Sequence, residues 1–477
     1  MTYSVMARLK RFRDDLSGNV AVIFTLALIP IMTAVGCAVD YTMATRMRAK
    51  LQAAADAASV AALAQKSPGF TAAAAMTSNG SVAAAVTDAK NVFNANMNGI
   101  GGYTLSSLTA TVTKTGIKLA SNVQFTATVP VVFLKILGFT TVTVTGSSSS
   151  SGSLPPYLDF YLMLDVSGSM GLPSTNAEQT RLAAINPDNY SQYPNGCTFA
   201  CHFTTQNACG NSSQKYNTNG YCLGYSLSRT AGNSGNSPVT SCPTDGTSAC
   251  IQLRADAVGY AVTQLFITAN SSAKVSNQFR IGLYPFIRYL YTYFALTSSI
   301  NGSTTNSSTI NYAAANLATL LDTGANSNLG SGGTHFENAF PSMNSLITSV
   351  GDGSTWNNTL PYVFLVTDGA QNYQTQWNLG WSGSNSPTTL DPALCTTLKN
   401  RGIIISVLYI PYQPIQNPTT FANSEDFYAN ANIPYISPVL QNCASPNFFF
   451  TANTPADITT ALNAMFNAAL KSAHITN

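Results

Sequence analysis

The chain has 477 residues, which is enough for two or three domains with sizeable cores. Only 9% of the residues are charged and the formal net charge is +3, so no basic face is available to neutralise the phosphates of a nucleic acid. A hydrophobic content of 45% with 10% aromatic residues can fill packed cores and excludes a wholly disordered chain.

The N-terminal segment is predicted to anchor the chain in a membrane. Basic residues between positions 8 and 13 precede an uncharged run from Leu16 to Val39, and about 20 residues of helix span roughly 30 Å of hydrocarbon. We expect a cytoplasmic tail over residues 1–15 and a transmembrane helix over residues 16–41, which sends the rest of the chain across the membrane. A cleaved secretory signal is the alternative, but the run is long for one and no good A-x-A site follows it before the charged helix.

Residues 42–69 are rich in alanine and are predicted to continue the helix outside the membrane. The stretches Leu16 to Phe24, Ala38 to Tyr41 and Lys50 to Ala58 resemble the N-terminal segment of TadE/TadG-like proteins of the Tad (Flp) pilus-assembly system. The resemblance implies a single-pass protein of the bacterial inner membrane, with the bulk of the chain periplasmic or extracellular. Some members are pseudopilins cut ahead of a glutamate-containing helix. Here Ile23 stands where that glutamate is expected, which favours a plain anchor.

Residues 70–152 are predicted to form a small α+β domain that ends in a linker. An alanine-rich helical stretch over residues 72–96 is followed by runs rich in β-branched residues, which are typical of strands. These runs are Leu108 to Thr115, Ile117 to Val129 and Phe139 to Thr145. The Gly- and Ser-rich run over residues 146–153 indicates a linker, and no cluster of reactive side chains is evident.

Residues 153–477 have the pattern of an α/β domain. The strand candidates are Phe160 to Asp165, Phe279 to Phe286, Tyr289 to Leu296, Tyr362 to Thr367 and Ile403 to Ile410. Helical patterns separate them at Ile251 to Ala269, Phe336 to Val350 and Pro392 to Asn400. This alternation predicts a doubly wound, mostly parallel sheet covered on both faces, and Thr454 and Pro455 give a start signal for a last helix.

Oxygen-bearing side chains follow two of these strands and a glycine-rich loop. Asp165, Ser167 and Ser169 alternate at the end of the first strand, Thr334 follows Gly332 and Gly333, and Asp368 follows the fourth strand candidate. Ligands bind at the carboxyl ends of parallel strands, and hard cations select oxygen ligands. The sequence therefore predicts a site for Mg²⁺, with Mn²⁺ or Ca²⁺ as alternatives. A tight turn with a helix cap is the simpler interpretation of the first motif alone.

The DxSxS motif followed by a distant Thr and a distant Asp resembles the von Willebrand factor A domain with its metal-ion-dependent adhesion site. The resemblance covers roughly residues 158–473. It implies hydroxyl ligands at Ser167, Ser169 and Thr334 and acidic partners at Asp165 and Asp368. His335 is interpreted as a loop residue, because a site that selects oxygen does not need it.

Two insertions leave this domain at the metal edge. The first, over residues 171–250, carries the cysteines at positions 197, 201, 209, 222, 242 and 250, whose crowding favours disulfides in an oxidising compartment over a zinc site. The second, over residues 370–391, is a rim loop with Tyr373, Trp377 and Trp381, which either contact a partner or pack in a satellite core. Cys395 and Cys443 are expected to pair, as the resemblance to TadG-like chains implies, and Cys37 is expected to be a buried thiol.

Three functions are compatible with this sequence. A metal-dependent protein-binding component of a pilus or adhesion system would capture a partner's carboxylate through the cation. A purely structural, pseudopilin-like envelope component would keep a dispensable metal site. A hydrolase is disfavoured, because His202, His335 and His474 lie in unrelated contexts and no carboxylate pair of a glycosidase can be picked out. We therefore expect a binding protein and not an enzyme.

Overall fold

The computed structural model describes residues 17–173, 176–185, 252–322, 326–377, 380–382, 386–412, 414–415 and 421–475. The cysteine-rich insertion lies almost entirely outside these ranges, and so does the pairing of its six cysteines. The chain divides into two compact units, Met1–Leu154 and Pro155–Asn477.

The first unit begins with helix α1, Ser17–Ala61, which runs for 45 residues without interruption although Pro30 lies inside it. Between Val22 and Val39 its large apolar side chains are mostly exposed, whereas Leu51, Ala55 and Ala58 are fully buried. The first part has a mean hydropathy of 2.4 over an 18-residue window, and within the described residues α1 alone is long and apolar enough to cross a bilayer. The outer part continues the same helix and packs on a sheet, as the alanine-rich sequence predicts.

The remaining elements of the first unit form an antiparallel sheet with two short helices. The helices are α2, Pro68–Ala75, and α3, Ala83–Met97; the strands are β1, Gly80–Ser81, β2, Thr104–Thr115, β3, Lys118–Pro130, and β4, Thr141–Ser153. The sheet order is β1-β2-β3-β4. One helix was predicted over residues 72–96; the structure has two, because the chain turns at Asn79 and Gly80 and adds β1 to the sheet edge.

The predicted linker over residues 146–153 is wrong, because these residues form the second half of β4 and pair with β3 in regular antiparallel register. The alternate residues 146, 148, 150 and 152 face α1, and the residues between them are exposed. The Ser59 hydroxyl lies 3.0 Å from the Ser148 hydroxyl and 2.7 Å from that of Ser150. A Cβ atom at Gly146 would lie only 2.5 Å from the Phe125 ring. The glycine and serine composition therefore permits a close approach of helix to sheet rather than flexibility.

The second unit is built on a six-stranded sheet of order β14-β13-β8-β5-β6-β7. Its strands are β5, Leu158–Asp165, β6, Phe279–Phe286, β7, Phe294–Thr297, β8, Leu360–Thr367, β13, Ile404–Tyr409, and β14, Phe449–Thr451. All neighbouring strands are parallel except β6 and β7. The predicted α/β architecture with a mostly parallel, doubly wound sheet is confirmed.

Helices cover both faces of this sheet, so the central strand β5 is buried along its whole length. The helices are α4, Asn176–Ile185, α5, Arg254–Ser272, α6, Ile310–Ala315, α7, Phe336–Leu346, α8, Pro392–Lys399, α9, Phe421–Cys443, and α10, Pro455–Ile475. Phe160, Leu162 and Leu164 of β5 point into the core on the side of α5 and α10. Tyr161 and Met163 point into the opposite core, on the side of α7 and α8.

Three features of this unit differ from the sequence expectation. The strand predicted over Tyr289 to Leu296 is mostly loop, and only the half-exposed edge strand β7 forms near its end, because the chain reverses after Phe286 and pairs back antiparallel. Helix α9 was not predicted from the sequence, because Pro434 and Pro438 lie inside it and proline usually interrupts a helix. The rim loop is a long hairpin, with β9, Ala370–Gln371, paired to β12, Thr388–Thr389, and β10, Thr375–Trp377, paired to β11, Gly380–Ser382.

Candidate metal centre

The candidate site lies at the carboxyl ends of β5 and β8, two adjacent parallel strands in the middle of the sheet. In order of sequence the strands of the large sheet run 3-2-1-4-5-6, so β5 and β8 flank the point where the winding direction reverses. Loops diverge at such a switch point and leave a crevice in which ligands bind. Asp165 is the last residue of β5 and Asp368 follows the last residue of β8.

Asp165 is fully buried, and both of its carboxylate oxygens accept hydrogen bonds. Its Oδ1 accepts from the Ser167 backbone N–H at 3.0 Å and from the Ser167 hydroxyl at 2.6 Å. Its Oδ2 accepts from the hydroxyl of Thr367 at 2.6 Å. Thr367 was not singled out in the sequence. The register that sets Leu164 beside Val366 also brings Thr367 next to Asp165.

Ser167 and Ser169 connect the two carboxylates. The two hydroxyl oxygens lie 3.3 Å apart, and the Ser169 hydroxyl is hydrogen-bonded to the Asp368 carboxylate. Four of the five predicted ligands therefore belong to one continuous network of oxygen atoms, which runs from Asp165 through both serines to Asp368.

Thr334, the fifth predicted ligand, lies in the glycine-rich loop beside this network. It is buried, and its carbonyl accepts a hydrogen bond at 3.1 Å from the backbone N–H of Asn372, a residue of the chain that follows Asp368. Gly333 must be glycine, because it has a φ of +153° and a Cβ would lie 2.9 Å from the Asn372 carbonyl oxygen. Within the described part of the chain the Thr334 hydroxyl makes no hydrogen bond, which leaves it available as a ligand.

Asp322 holds the glycine-rich loop in place, and no sequence motif predicts this role. Its carboxylate accepts from the Ser331 hydroxyl at 2.6 Å and from the Gly332 backbone N–H at 3.0 Å. Its own N–H donates to the carbonyl of Val166, inside the DxSxS motif, at 3.0 Å. Asp322 thus ties the loop that carries Thr334 to the loop that carries both serines.

Arg254, the first residue of α5, places a fully buried guanidinium against Asp368. Its Nη1 lies 3.1 Å from Asp368 Oδ2, its Nη2 donates to the carbonyl of Pro411 at 3.0 Å, and the group lies 5.5 Å from the centroid of the Tyr412 ring. Sequence reasoning missed this residue. A lone arginine at the start of an apolar helix, directly after a long insertion, was the available signal.

The electrostatics of the site are dominated by two carboxylates in a dry environment. Burial and the nearby Asp368 carboxylate raise the pKa of Asp165 to about 7. Burial also raises the pKa of Asp368, although the Arg254 guanidinium acts in the opposite direction. With both carboxylates ionised, one guanidinium leaves a net buried negative charge among the described residues of the site.

This donor set fits a hard divalent cation. Carboxylate and hydroxyl oxygens are the ligands that Mg²⁺, Mn²⁺ and Ca²⁺ select, and a cation would compensate the buried negative charge. Within the described ranges no cluster of three or more His, Cys, Asp or Glu side chains could hold a metal. A site here therefore depends on the hydroxyls of Ser167, Ser169 and Thr334 together with Asp165 and Asp368.

The base of the rim loop is fixed by a histidine that was interpreted as a plain loop residue. The buried His335 directs Nδ1 at Glu337 Oε1 over 2.6 Å and Nε2 at the Gln374 carbonyl over 2.9 Å. Tyr373, next to Gln374, is exposed, and its ring centroid lies 6.4 Å from that of His335. The side chains of Trp377 and Trp381 lie outside the described residues, so the predicted partner contacts of all three aromatic residues stay predictions.

The expected pair Cys395 and Cys443 forms a disulfide with a Cα–Cα distance of 5.2 Å, and it joins α8 to α9 within a fully buried core. Cys37 in α1 is a free thiol that is only half-buried, which corrects the expectation of a buried thiol. Disulfides in general form and persist in oxidising environments.

Comparison with known proteins concerns the N-terminal segment first. Residues 18–76 match the Tad family model, described as Flp pilus-assembly TadE/G-like. This segment is therefore similar to the TadE/G-like family. The match covers α1 and α2 and supports the resemblance seen in the sequence, and no curated protein is matched by the chain.

Comparison with solved structures gives several matches of low sequence identity. They include the PilB minor pilin from Streptococcus sanguinis, with 11% identity, 78% of each chain covered and a TM-score of 0.32. The vWF domain of the type V pili tip protein Mfa5 from Porphyromonas gingivalis has 11% identity and a TM-score of 0.29, and 68% of this chain and 97% of that one are covered.

Proposed function

We propose that this TadE/G-like chain is a membrane-anchored, non-enzymatic component of a Tad/Flp-type pilus system, whose α/β unit binds a partner protein through a divalent cation. The observation that carries the proposal is the buried network of Asp165, Ser167, Ser169 and Asp368, which gathers two carboxylates and two hydroxyls at the switch point of the sheet. The TadE/G-like segment supports the association with a pilus system.

Some residues of the site would bind the cation, and others orient the residues that bind it. Asp165, Ser167, Ser169, Thr334 and Asp368 would hold the cation, most simply Mg²⁺. When bound, the cation supplies a compact positive charge with a coordination position open to a carboxylate of the partner. Thr367 and Ser167 orient the Asp165 carboxylate by hydrogen bonding, and Asp322 fixes the loop that carries Thr334. The rim loop, with Tyr373, Trp377 and Trp381, would contribute specificity around this contact.

The proposed topology has the N-terminus in the cytoplasm and both compact units on the far side of the inner membrane. The basic residues before Leu16 favour this orientation. The disulfide between Cys395 and Cys443 supports it independently, since such bonds persist in the periplasm and outside the cell.

The test is cation binding by the full chain in detergent micelles, combined with partner capture in cells. Mg²⁺ binding is measured by titration calorimetry for the wild type, for Asp165→Ala and for Asp352→Ala, whose carboxylate lies in an exposed loop of the same unit. We expect Asp165→Ala alone to lose the cation. Crosslinking in intact cells should then capture fewer partners from Asp165→Ala or after chelation. Unchanged binding and unchanged capture would contradict the proposal.

A structural role with a dispensable metal site is the second candidate, and Arg254 is the observation that favours it. Its guanidinium already supplies a positive charge to Asp368, so the site has an internal partner without a cation. This role predicts normal pilus assembly in Asp165→Ala and loss of assembly when charged residues replace apolar ones between Val20 and Ile29. The opposite pattern of assembly would reject it.

A further inference from the structure

The connection between β3 and β4 exposes a cluster of large apolar side chains that the metal centre does not explain. The cluster, here called the apolar loop, consists of Val132, Phe133, Ile136, Leu137 and Phe139. Their exposed fractions range from 37% for Phe133 to 71% for Ile136. In the described part of the first unit, every other large apolar residue that is exposed belongs to α1. A soluble surface would not concentrate these side chains in one short loop.

The apolar loop lies against α1 where the uncharged run of that helix ends. Phe133 packs on Gly36, where an added Cβ would lie 2.5 Å from the Phe133 Cβ. Asp40, the first charged residue after the run, lies one helical turn further on, about 6 Å along the axis. The exposed apolar surface of α1 and that of the apolar loop therefore meet near Gly36 and form one continuous apolar surface.

Many of the polar groups at this junction are hydrogen-bonded within the first unit, which lowers the cost of placing them in an apolar environment. Asp40 is only 2% exposed, and its carboxylate accepts from the backbone N–H groups of Val132 at 3.0 Å, Phe133 at 2.8 Å and Leu134 at 2.7 Å. The next turn closes on itself, since the N–H groups of Ile136, Gly138 and Phe139 donate to carbonyls of residues 133–135. Lys135, which is exposed, has a side chain long enough to reach lipid headgroups.

We propose that the apolar loop inserts into the lipid bilayer beside α1 and forms a second membrane contact of the first unit. The inference rests on α1 being the membrane anchor and goes beyond the proposed function. Lipid is favoured over a protein partner because the apolar loop is continuous with the exposed surface of the anchor helix, and because six of its backbone N–H groups already donate to acceptors within the first unit. Two contacts fix the rotation of α1 about its axis, which a single span leaves free.

The experiment places a tryptophan at three positions of the full chain and reconstitutes each variant in vesicles of phosphatidylcholine and phosphatidylglycerol. In half of the samples the acyl chains carry bromine, which quenches tryptophan on contact. Ile136→Trp reports on the apolar loop and Val35→Trp on the anchor. Lys118→Trp is the matched control, because Lys118 is exposed at the opposite end of β3. The wild type gives the background of the three native tryptophans.

We expect bromine to lower the emission of the added tryptophan about twofold in Ile136→Trp and Val35→Trp, and to leave Lys118→Trp unchanged. Quenching in Val35→Trp without quenching in Ile136→Trp would overturn the inference and leave the anchor intact. No quenching in Val35→Trp would contradict both the membrane anchor and the inference that rests on it. If Ile136→Trp escapes lipid but is shielded by an added pilus component, the apolar loop is a protein-docking surface and the proposal fails. Circular dichroism of each variant checks that the fold is retained.

Discussion

Among single residues, Arg254 has the most direct influence on the charge of the candidate metal centre. It is fully buried, pairs with Asp368 at 3.1 Å and lies outside the motif by which the site is recognised. A buried ion pair contributes little net stability, but removal of one member leaves the other charge uncompensated. Arg254 therefore determines how far the buried charge of Asp368 lowers the stability of the protein when no cation is bound.

Replacement of Arg254 by Met is expected to lower the free energy of unfolding by about 3–5 kcal/mol without divalent cations, because Asp368 loses its buried partner. Saturating Mg²⁺ should recover much of this loss. The measurement is urea unfolding followed by tryptophan fluorescence, with chelator and with Mg²⁺. Arg280→Met is the control, since Arg280 pairs with Asp159 at the other end of β5. Equal losses for Arg254→Met in both conditions would show that no cation reaches Asp368.

The pKa of Asp165 gives the cation-free protein a pH dependence with a definite sign. Burial and the Asp368 charge raise this pKa to about 7, above its value in the unfolded chain. The folded state thus holds a proton that the unfolded chain releases near pH 4, and stability falls as the pH rises from about 4 to 7. We expect a loss of about 2–4 kcal/mol over that range in chelator. Asp165→Asn should flatten the profile, and a wild-type profile that rises instead would contradict the assignment.

Among secondary-structure elements, the strands that the sequence predicted best are those buried on both faces. Continuous apolar runs such as those of β5 and β8 have few interpretations, and their carboxyl ends therefore located Asp165 and Asp368 correctly. The strand predicted over Tyr289 to Leu296 was too long, because the chain reverses before it pairs as the short edge strand β7. Helix α9 was missed because it contains two internal prolines. The sequence did not identify three residues of the site, because their roles depend on partners distant in sequence: Arg254, Asp322 and Thr367.

The serine-rich end of β4 shows why composition alone misleads. Gly146→Ala is expected to destabilise the protein by about 1–3 kcal/mol, because the new methyl group meets the Phe125 ring and the Gln52 side chain. Gly152→Ala is the matched control in the same strand, because its nearest neighbour, Leu63, lies at 3.6 Å, an ordinary contact distance. Thermal unfolding compares the two variants. Equal unfolding temperatures of the two variants would instead support the interpretation of residues 146–153 as a linker.

For the whole molecule, the disulfide provides a test of the proposed location of the second unit. In intact cells Cys395 and Cys443 should resist alkylation until the protein is reduced, because such bonds form and persist in oxidising compartments. Replacement of both by serine is expected to cost about 2–4 kcal/mol. Mass spectrometry of peptides alkylated before and after reduction checks the bond. Free thiols at both positions in freshly lysed cells would instead indicate a cytoplasmic location.

The continuity of α1 also determines what a cut in this helix would separate. Leu51, Ala55 and Ala58 of this helix are part of the core of the first unit, and Asp40 caps the apolar loop. Cleavage of α1 just before Asp40 would therefore detach the apolar run and leave these residues in the first unit. The fragment so released would keep its core, yet it would still expose the apolar loop to water.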